Sequence, residues 1–214
     1  MTDSKDKIRV LLLENVHPGA QELFRQEGFQ VEALAGALAE DALAERVRDV
    51  HLLGIRSRTQ VSARVLADSR RLLALGAFCI GTNQVDLAAA AERGVAVFNA
   101  PFANTRSVAE LVVAEVIALA RRLADRSREM HEGRWRKGVD SAREVRGKTL
   151  GIVGYGHIGR QVGVLAEALG MQVLFHDIAP RLPMGNNRPA ESLEAVLDRA
   201  DFVTLHVPET PLTR

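Results

Sequence analysis

Short apolar runs alternate with amphipathic, alanine-rich stretches along most of this chain, the pattern of strands buried on both faces of a parallel sheet with helices packed over them. Residues 8–13 form one continuous β-branched and leucine run, 29–34 a second, 51–55 a third, 72–75 a fourth and 95–98 a fifth. Helical patterns over 18–27, 40–48, 62–68 and 87–93 fall between them. Pro18 opens the first of these and Gly28 stops it, the order expected at a helix start and end. Such alternation predicts an α/β domain whose ligands lie outside the carboxyl ends of the strands.

Residues 99–106 break the pattern with proline and polar turn formers, which predicts a crossing into a second domain. Ser107 and Glu110 then read as a capping box opening a long helix, with Val108, Leu111, Val112, Val116, Leu119 and Leu123 at core-facing helical spacing. A polar helical extension over 121–136 carries Trp135, the only tryptophan. Two readings stand for that residue, an anchor in a subunit contact and a lid over its own core. After a loop over 138–147 come a strand at 149–153, a helix, a strand over 172–177, a stretch over 179–189 whose three prolines predict no element outside 182–184, a short helix at 193–197 and a strand at 202–205.

Composition narrows the class. At 214 residues with 47% hydrophobic and 26% charged content, the chain suits one or two ordinary globular domains. A net charge of +1 provides no basic field for nucleic acid. Nor does any run reach the ~18 apolar residues of a membrane span. Cys79 is the single cysteine, which excludes an internal disulfide and a thiolate zinc cluster, and in its apolar run it reads as a small buried hydrophobe. No metal site is expected. With no apolar leader over residues 1–7, a cytoplasmic location is the expectation.

The densest candidate chemistry lies where the 149–153 strand enters Gly154-Tyr155-Gly156-His157-Ile158-Gly159. In a dinucleotide site Gly154 permits the tight turn, Gly156 lets backbone approach a pyrophosphate, and Gly159 lets helix and strand pack closely, while the helix N-terminus presents N–H groups to phosphate. A purely structural turn would use the same glycines. Asp177 ends the next strand near the ~20-residue spacing of a ribose-binding acid, and its charge would repel a 2′-phosphate, favouring NAD over NADP. Arg181 could receive a 2′-phosphate or stand as a solvated charge.

Two other strand ends draw notice. Arg56-Ser57-Arg58-Thr59 follows the third strand, and paired guanidiniums suit phosphate or carboxylate; two solvated surface arginines are the plainer reading. Gly76 to Asn83 is a glycine-flanked apolar loop whose amides could face an anion, or a structural turn.

Taken in order, Arg56 to Thr59, FCIGTNQVD (78–86), FNAPFANTRSVAE (98–110), GIVGYGHIG (151–159) and His206-Val207-Pro208 resemble the D-isomer-specific 2-hydroxyacid dehydrogenase family, and within it the bacterial enzymes that oxidise 3-phospho-D-glycerate. The resemblance runs from residue 8 onward. It implies a flavodoxin-like substrate domain over 1–103 and an incomplete Rossmann dinucleotide domain over 104–214. It further implies NAD contacts at Gly154, Gly156, His157, Ile158, Gly159, Asp177, His206, Val207 and Pro208, and a substrate held by Arg56, Ser57, Arg58, Ile80, Gly81 and Asn104. The partner it implies beyond that small molecule is a second copy of the chain, joined through the nucleotide domain. The family's chemistry uses an arginine, a glutamate and a histidine for which no position here matches, so no catalytic residue is assigned among the 6 histidines or elsewhere. The resemblance thus implies a chain that stops within the nucleotide domain and leaves a strand edge and an apolar face uncovered.

Two functional readings remain: a part of an NAD-dependent phosphoglycerate dehydrogenase, and a non-catalytic module that binds NAD or a partner. A transcriptional corepressor is disfavoured, because Arg56 and Arg58 suit a small phosphorylated acid.

Overall fold

A computed structural model describes residues 5–138, 141–208 and 213. It divides into two compact units, Met1–Ala103 and Asn104–Arg214. Each has its own parallel sheet.

In the first unit, strands β1 (Arg9–Leu12), β2 (Gln30–Ala33), β3 (Leu52–Ile55), β4 (Ala74–Ala77) and β5 (Ala96–Asn99) lie in the order β2-β1-β3-β4-β5. This is the flavodoxin-like order, which reverses direction between β1 and β3 and opens its ligand crevice there. Alternate residues of β1 feed opposite faces. Leu11 and Leu13 join a cluster with Leu43, Leu53, Ile55, Val65 and Leu75, while Val10 and Leu12 pack with Val16 beneath Phe24 and Phe29.

Helices α1 (Pro18–Gln26), α2 (Glu40–Arg46), α3 (Ala63–Asp68) and α4 (Leu87–Glu92) connect these strands. Local chemistry sets their starts. Ser62 Oγ accepts the Val65 N–H and Asp86 Oδ1 accepts the Ala89 N–H at 3.0 Å. The fourth strand falls two residues later than the apolar run predicts. Pairing puts Gly54 opposite Gly76, and the Phe78 ring lies over both, so cross-strand register overrides the local pull of Leu72 and Leu73.

The second unit contains α5 (Thr105–Arg121), α6 (Leu123–His131), β6 (Thr149–Val153), α7 (His157–Ala168), β7 (Gln172–His176), β8 (Arg188–Pro189), α8 (Leu193–Arg199) and β9 (Phe202–Leu205). Its order, β8-β7-β6-β9, fills the first four places of the Rossmann arrangement, with the switch point between β6 and β9. Leu150, Ile152, Tyr155, Val162, Ala166 and Phe175 make its core.

Four expectations need correction here. Asn104, not Ser107, precedes α5, and Glu110 pairs along the helix with Arg106 at 2.6 Å instead of closing a capping box. The α5 face turned to the core is made of small residues, Ala109 and Ala120 with Val116, which let α7 approach closely; Leu111, Leu119 and Leu123 are exposed. Nor is the polar extension one helix: Arg122 takes a left-handed φ of 53° and separates α5 from α6, and Trp135 lies beyond α6. Finally, the 179–189 stretch contributes the two-residue β8.

No helix among the described residues is long and apolar enough to cross a membrane.

Candidate functional site

At the end of β6 the chain turns at Gly154, whose φ of +91° excludes ordinary side chains. A Cβ there would also sit 2.5 Å from the His206 carbonyl oxygen and 2.8 Å from a Val207 methyl. Val153 O accepts the His206 N–H at 2.7 Å. The glycine turn and the His206-Val207-Pro208 segment therefore meet at the switch point between β6 and β9.

Gly159 is tight for a different reason. A Cβ on it would strike the Gly154 carbonyl oxygen, so α7 could not lie this close to the turn. Gly156, the residue before α7, has nothing within 4 Å of where its Cβ would stand. Open space at that glycine, with no side chain capping the helix, leaves room for an anion against the N–H groups of the first turn and the positive end of the helix dipole. His157 is exposed and Ile158 half-buried.

Asp177 closes this arrangement from β7. Its Oδ2 accepts the Tyr155 N–H at 2.8 Å, its Oδ1 accepts the Ala179 N–H at 2.9 Å, and Arg181 Nε lies 3.3 Å from Oδ1. Burial works to raise its pKa, but the Ala179 and Tyr155 donors and the Arg181 guanidinium outweigh it and hold the carboxyl below the usual range. Arg181 is thus paired with the acid rather than solvated alone. Ile178, next in sequence, is 90% exposed, an apolar surface beside the carboxylate that no sequence pattern marks.

His206 is half-buried, with Nε2 3.1 Å from Thr204 Oγ1, and burial pushes its pKa down, so the imidazole is neutral at pH 7.

In the first unit the arginine loop sits at the β1/β3 switch point. Arg56, Ser57 and Arg58 are exposed, and no carboxylate pairs with either guanidinium among the described residues. Two buried polar side chains that sequence reasoning passes over hold this loop. Glu14, 7% exposed, accepts the N–H groups of Arg56 at 3.1 Å, Arg58 at 3.0 Å and Thr59 at 2.9 Å. Gln84, 4% exposed, donates to Arg56 O at 2.8 Å, to Cys79 Sγ at 3.2 Å and to Gly81 O at 3.3 Å.

Arg56 to Arg58 and the Ile80-Gly81 loop are in this way brought together. Asn99 Nδ2 adds a bond to Ile80 O at 2.7 Å. Cys79 is half-buried: it packs against the core of the first unit, as its apolar run predicts, and its thiol also joins this polar network. Asn104 belongs to the second unit, at the start of α5. No group of three or more potential metal ligands occurs among the described residues.

A parallel sheet of flavodoxin-like order together with a Rossmann-like sheet carrying a glycine turn defines an α/β protein of the dinucleotide-binding type. The chain belongs to the family of D-isomer specific 2-hydroxyacid dehydrogenases, whose catalytic-domain model matches residues 10–207.

It is 56% identical over 209 residues to the D-3-phosphoglycerate dehydrogenase of Dictyostelium discoideum, covering 98% of this chain and 51% of that protein. To the D-3-phosphoglycerate dehydrogenase of Escherichia coli it is 51% identical, covering 98% of this chain and 52% of that protein. The chain thus spans about half the length of the curated relatives it matches. Among solved structures, a Thermus thermophilus protein superposes with a TM-score of 0.87 at 33% identity, over 96% of this chain and 67% of that one. An Aquifex aeolicus D-lactate dehydrogenase complexed with NAD and lactic acid does so with a TM-score of 0.82 at 25% identity, over 95% and 62%.

Proposed function

We propose that this chain supplies the coenzyme- and substrate-holding residues for NAD-dependent oxidation of 3-phospho-D-glycerate to 3-phosphooxypyruvate, the opening step of L-serine synthesis. The observation that carries the reading is Asp177, a largely buried, ionised carboxylate bonded to the turn residue Tyr155 at the switch point of the Rossmann-like sheet. NAD, when bound, supplies the hydride acceptor.

The chain's own residues bind and orient. Gly156, with the first-turn amides at His157, Ile158 and Gly159, holds the pyrophosphate, while Gly154 keeps His206, Val207 and Pro208 beside the dinucleotide. Asp177 Oδ1 is taken by the Ala179 N–H and Arg181, whereas Oδ2 accepts only the Tyr155 N–H and has a further lone pair for a ribose hydroxyl. Its charge disfavours a 2′-phosphate, and Ile178 offers an apolar contact to the adenine. His206, being neutral, adds no charge next to the nicotinamide half.

On the substrate side Arg56 and Arg58 grip the phosphate and carboxylate, Ser57 and the Ile80-Gly81 loop add polar contacts, and the family resemblance adds Asn104. None of these residues exchanges the hydroxyl proton. Within residues 1–214 we assign no catalytic acid or base.

The same reading makes the protein a cytoplasmic homo-oligomer joined through its second unit, supported by the exposed Leu111, Leu119, Leu123, Met130 and Trp135 on and beyond α5.

Titration with NADH and NADPH, followed by nicotinamide fluorescence, tests the coenzyme assignment. Saturable binding of NADH with at least tenfold weaker NADPH is expected. Equal binding of the two, or binding of neither, overturns it.

A further inference from the structure

We infer that Glu14 is a positioning residue: its buried carboxylate, by accepting three N–H groups of one loop, sets the backbone from which Arg56 and Arg58 reach an oxyanion of the substrate. The inference rests on the proposed role of those two arginines in holding phosphate or carboxylate.

The geometry is specific. Glu14 follows β1 with a left-handed φ of 61°, and Asn15 comes next at 52°, conformations unusual for residues other than glycine. Backbone bonds fix the pair from the other side, since Glu14 N–H donates to Gly36 O at 3.2 Å and Asn15 N–H to Leu34 O at 3.4 Å. This bend turns the Glu14 side chain away from the β2 side and across the switch point to the loop after β3.

There each carboxylate oxygen is used. Oε1 takes the N–H groups of Arg56 and Thr59, and Oε2 takes that of Arg58. Burial works against the charge, but contacts with Thr59, Arg58 and Arg56 outweigh it, so the carboxyl titrates below its ordinary range. A buried anion satisfied by the loop's own N–H groups needs no guanidinium, and neither arginine is drawn back to it. Both side chains are left exposed, with no carboxylate partner among the described residues.

Gln84 completes the clamp by taking Arg56 O, so the Arg56 backbone is held at both its N–H and its C=O. A loop fixed at backbone level while its cations face outward is preorganised for an anion, and preorganisation lowers the entropic cost of binding.

The test uses the 214-residue chain, with inorganic phosphate and 3-phospho-D-glycerate as ligands in calorimetry and amide exchange read residue by residue. Glu14→Gln keeps the shape of the side chain but replaces one acceptor with a donor facing N–H groups. Its dissociation constants for both ligands are expected to rise roughly tenfold or more, the equivalent of one lost charge-assisted bond. Exchange at the Arg56, Arg58 and Thr59 amides should accelerate, while Leu11 and Leu53 in the sheet stay protected and NADH affinity is unchanged. Glu14→Asp, which retains the charge, should recover part of the affinity.

Arg56→Gln separates this inference from the reading it rests on. If the unsubstituted chain binds neither ligand, or Arg56→Gln binds as well as the unsubstituted chain, the arginine assignment fails. If Arg56→Gln loses binding while Glu14→Gln keeps it, the positioning role fails alone. Should Glu14→Gln not fold, unprotected Arg56, Arg58 and Thr59 amides in the unsubstituted chain overturn the proposal, and protected ones that shift on phosphate addition support it.

Discussion

Asp177 Oδ2 and the Tyr155 N–H lie 2.8 Å apart, so the acid that follows β7 and the glycine turn that follows β6 form one hydrogen-bonded unit. A single side chain thereby shapes the turn and sets the charge beside it.

Replacement of Asp177 by Asn should therefore weaken both binding and folding. NADH affinity is expected to fall about tenfold or more and the preference over NADPH to shrink, since the repulsive charge is gone. The stability effect has a definite pH sign. The folded-state pKa of Asp177 is lowered, so its ionised form stabilises the fold above the unfolded value of about 3.9 and that contribution disappears as pH falls through the folded value. Thermal melts of the two proteins should differ at neutral pH and converge below about pH 3.9. A gap that stays constant through that range would show that the charge contributes nothing.

The two glycines flanking Tyr155 should behave in opposite ways. Gly154→Ala places a methyl 2.5 Å from the His206 carbonyl oxygen at a φ of +91°, and a loss of roughly 2 kcal/mol or more is expected. Gly156→Ala meets open space, so its melting temperature should hardly move. Yet the added methyl occupies the volume assigned to the pyrophosphate, and NADH binding should be lost. Equal melting temperatures for the two variants, or intact NADH binding in Gly156→Ala, would contradict the division of labour drawn here.

Features built from neighbouring residues are the ones legible in the sequence. The glycine turn and most strands of the two sheets each depend on residues within a few positions of one another, and periodicity or turn chemistry reveals them, whereas the two-residue β8 carries no such pattern. Glu14 escapes such a reading because its three acceptor bonds reach 42 to 45 residues along the chain, and a lone acid after a strand looks like any turn residue. Gln84 escapes for the same reason, reaching Arg56 across 28 residues. The slip of β4 and the outward turn of Leu111 and Leu119 have a common cause. Packing favours glycine against glycine and alanine against helix, where the apolar pattern favours leucine.

Exposure of Leu119 at 69% and Trp135 at 70% gives the oligomer reading a direct test. Burying side chains of this size removes enough apolar surface to anchor an interface. Trp135→Ala should leave the melting transition of dilute protein nearly unchanged and shift the mass in sedimentation toward the single chain. A single-chain mass for the unsubstituted protein at high concentration would remove the basis for this contact.

Tyr155 offers the sharpest separation of scaffold from site. Its ring is fully buried and stacked on Phe175 at 3.6 Å, and its hydroxyl donates to Asn187 Oδ1 at 3.1 Å while accepting the Met184 N–H at 3.2 Å. Asn187 in turn donates to Glu167 Oε2 on α7 at 3.0 Å, and Asn186 to Glu167 Oε1 at 2.7 Å, so the segment after Asp177 is strapped to the helix that the glycine turn starts. Tyr155→Phe keeps the stack and removes the hydroxyl, leaving the Met184 N–H and the buried Asn187 amide short of a partner at a cost of about 1–3 kcal/mol. Melting temperature should drop accordingly. The Tyr155 N–H to Asp177 bond is made by the backbone at residue 155 and survives, so NADH affinity in the folded variant should stay within about threefold of the parent, less than one lost hydrogen bond. Loss of NADH binding with no loss of stability would place the hydroxyl in the coenzyme site itself rather than in the strap behind it.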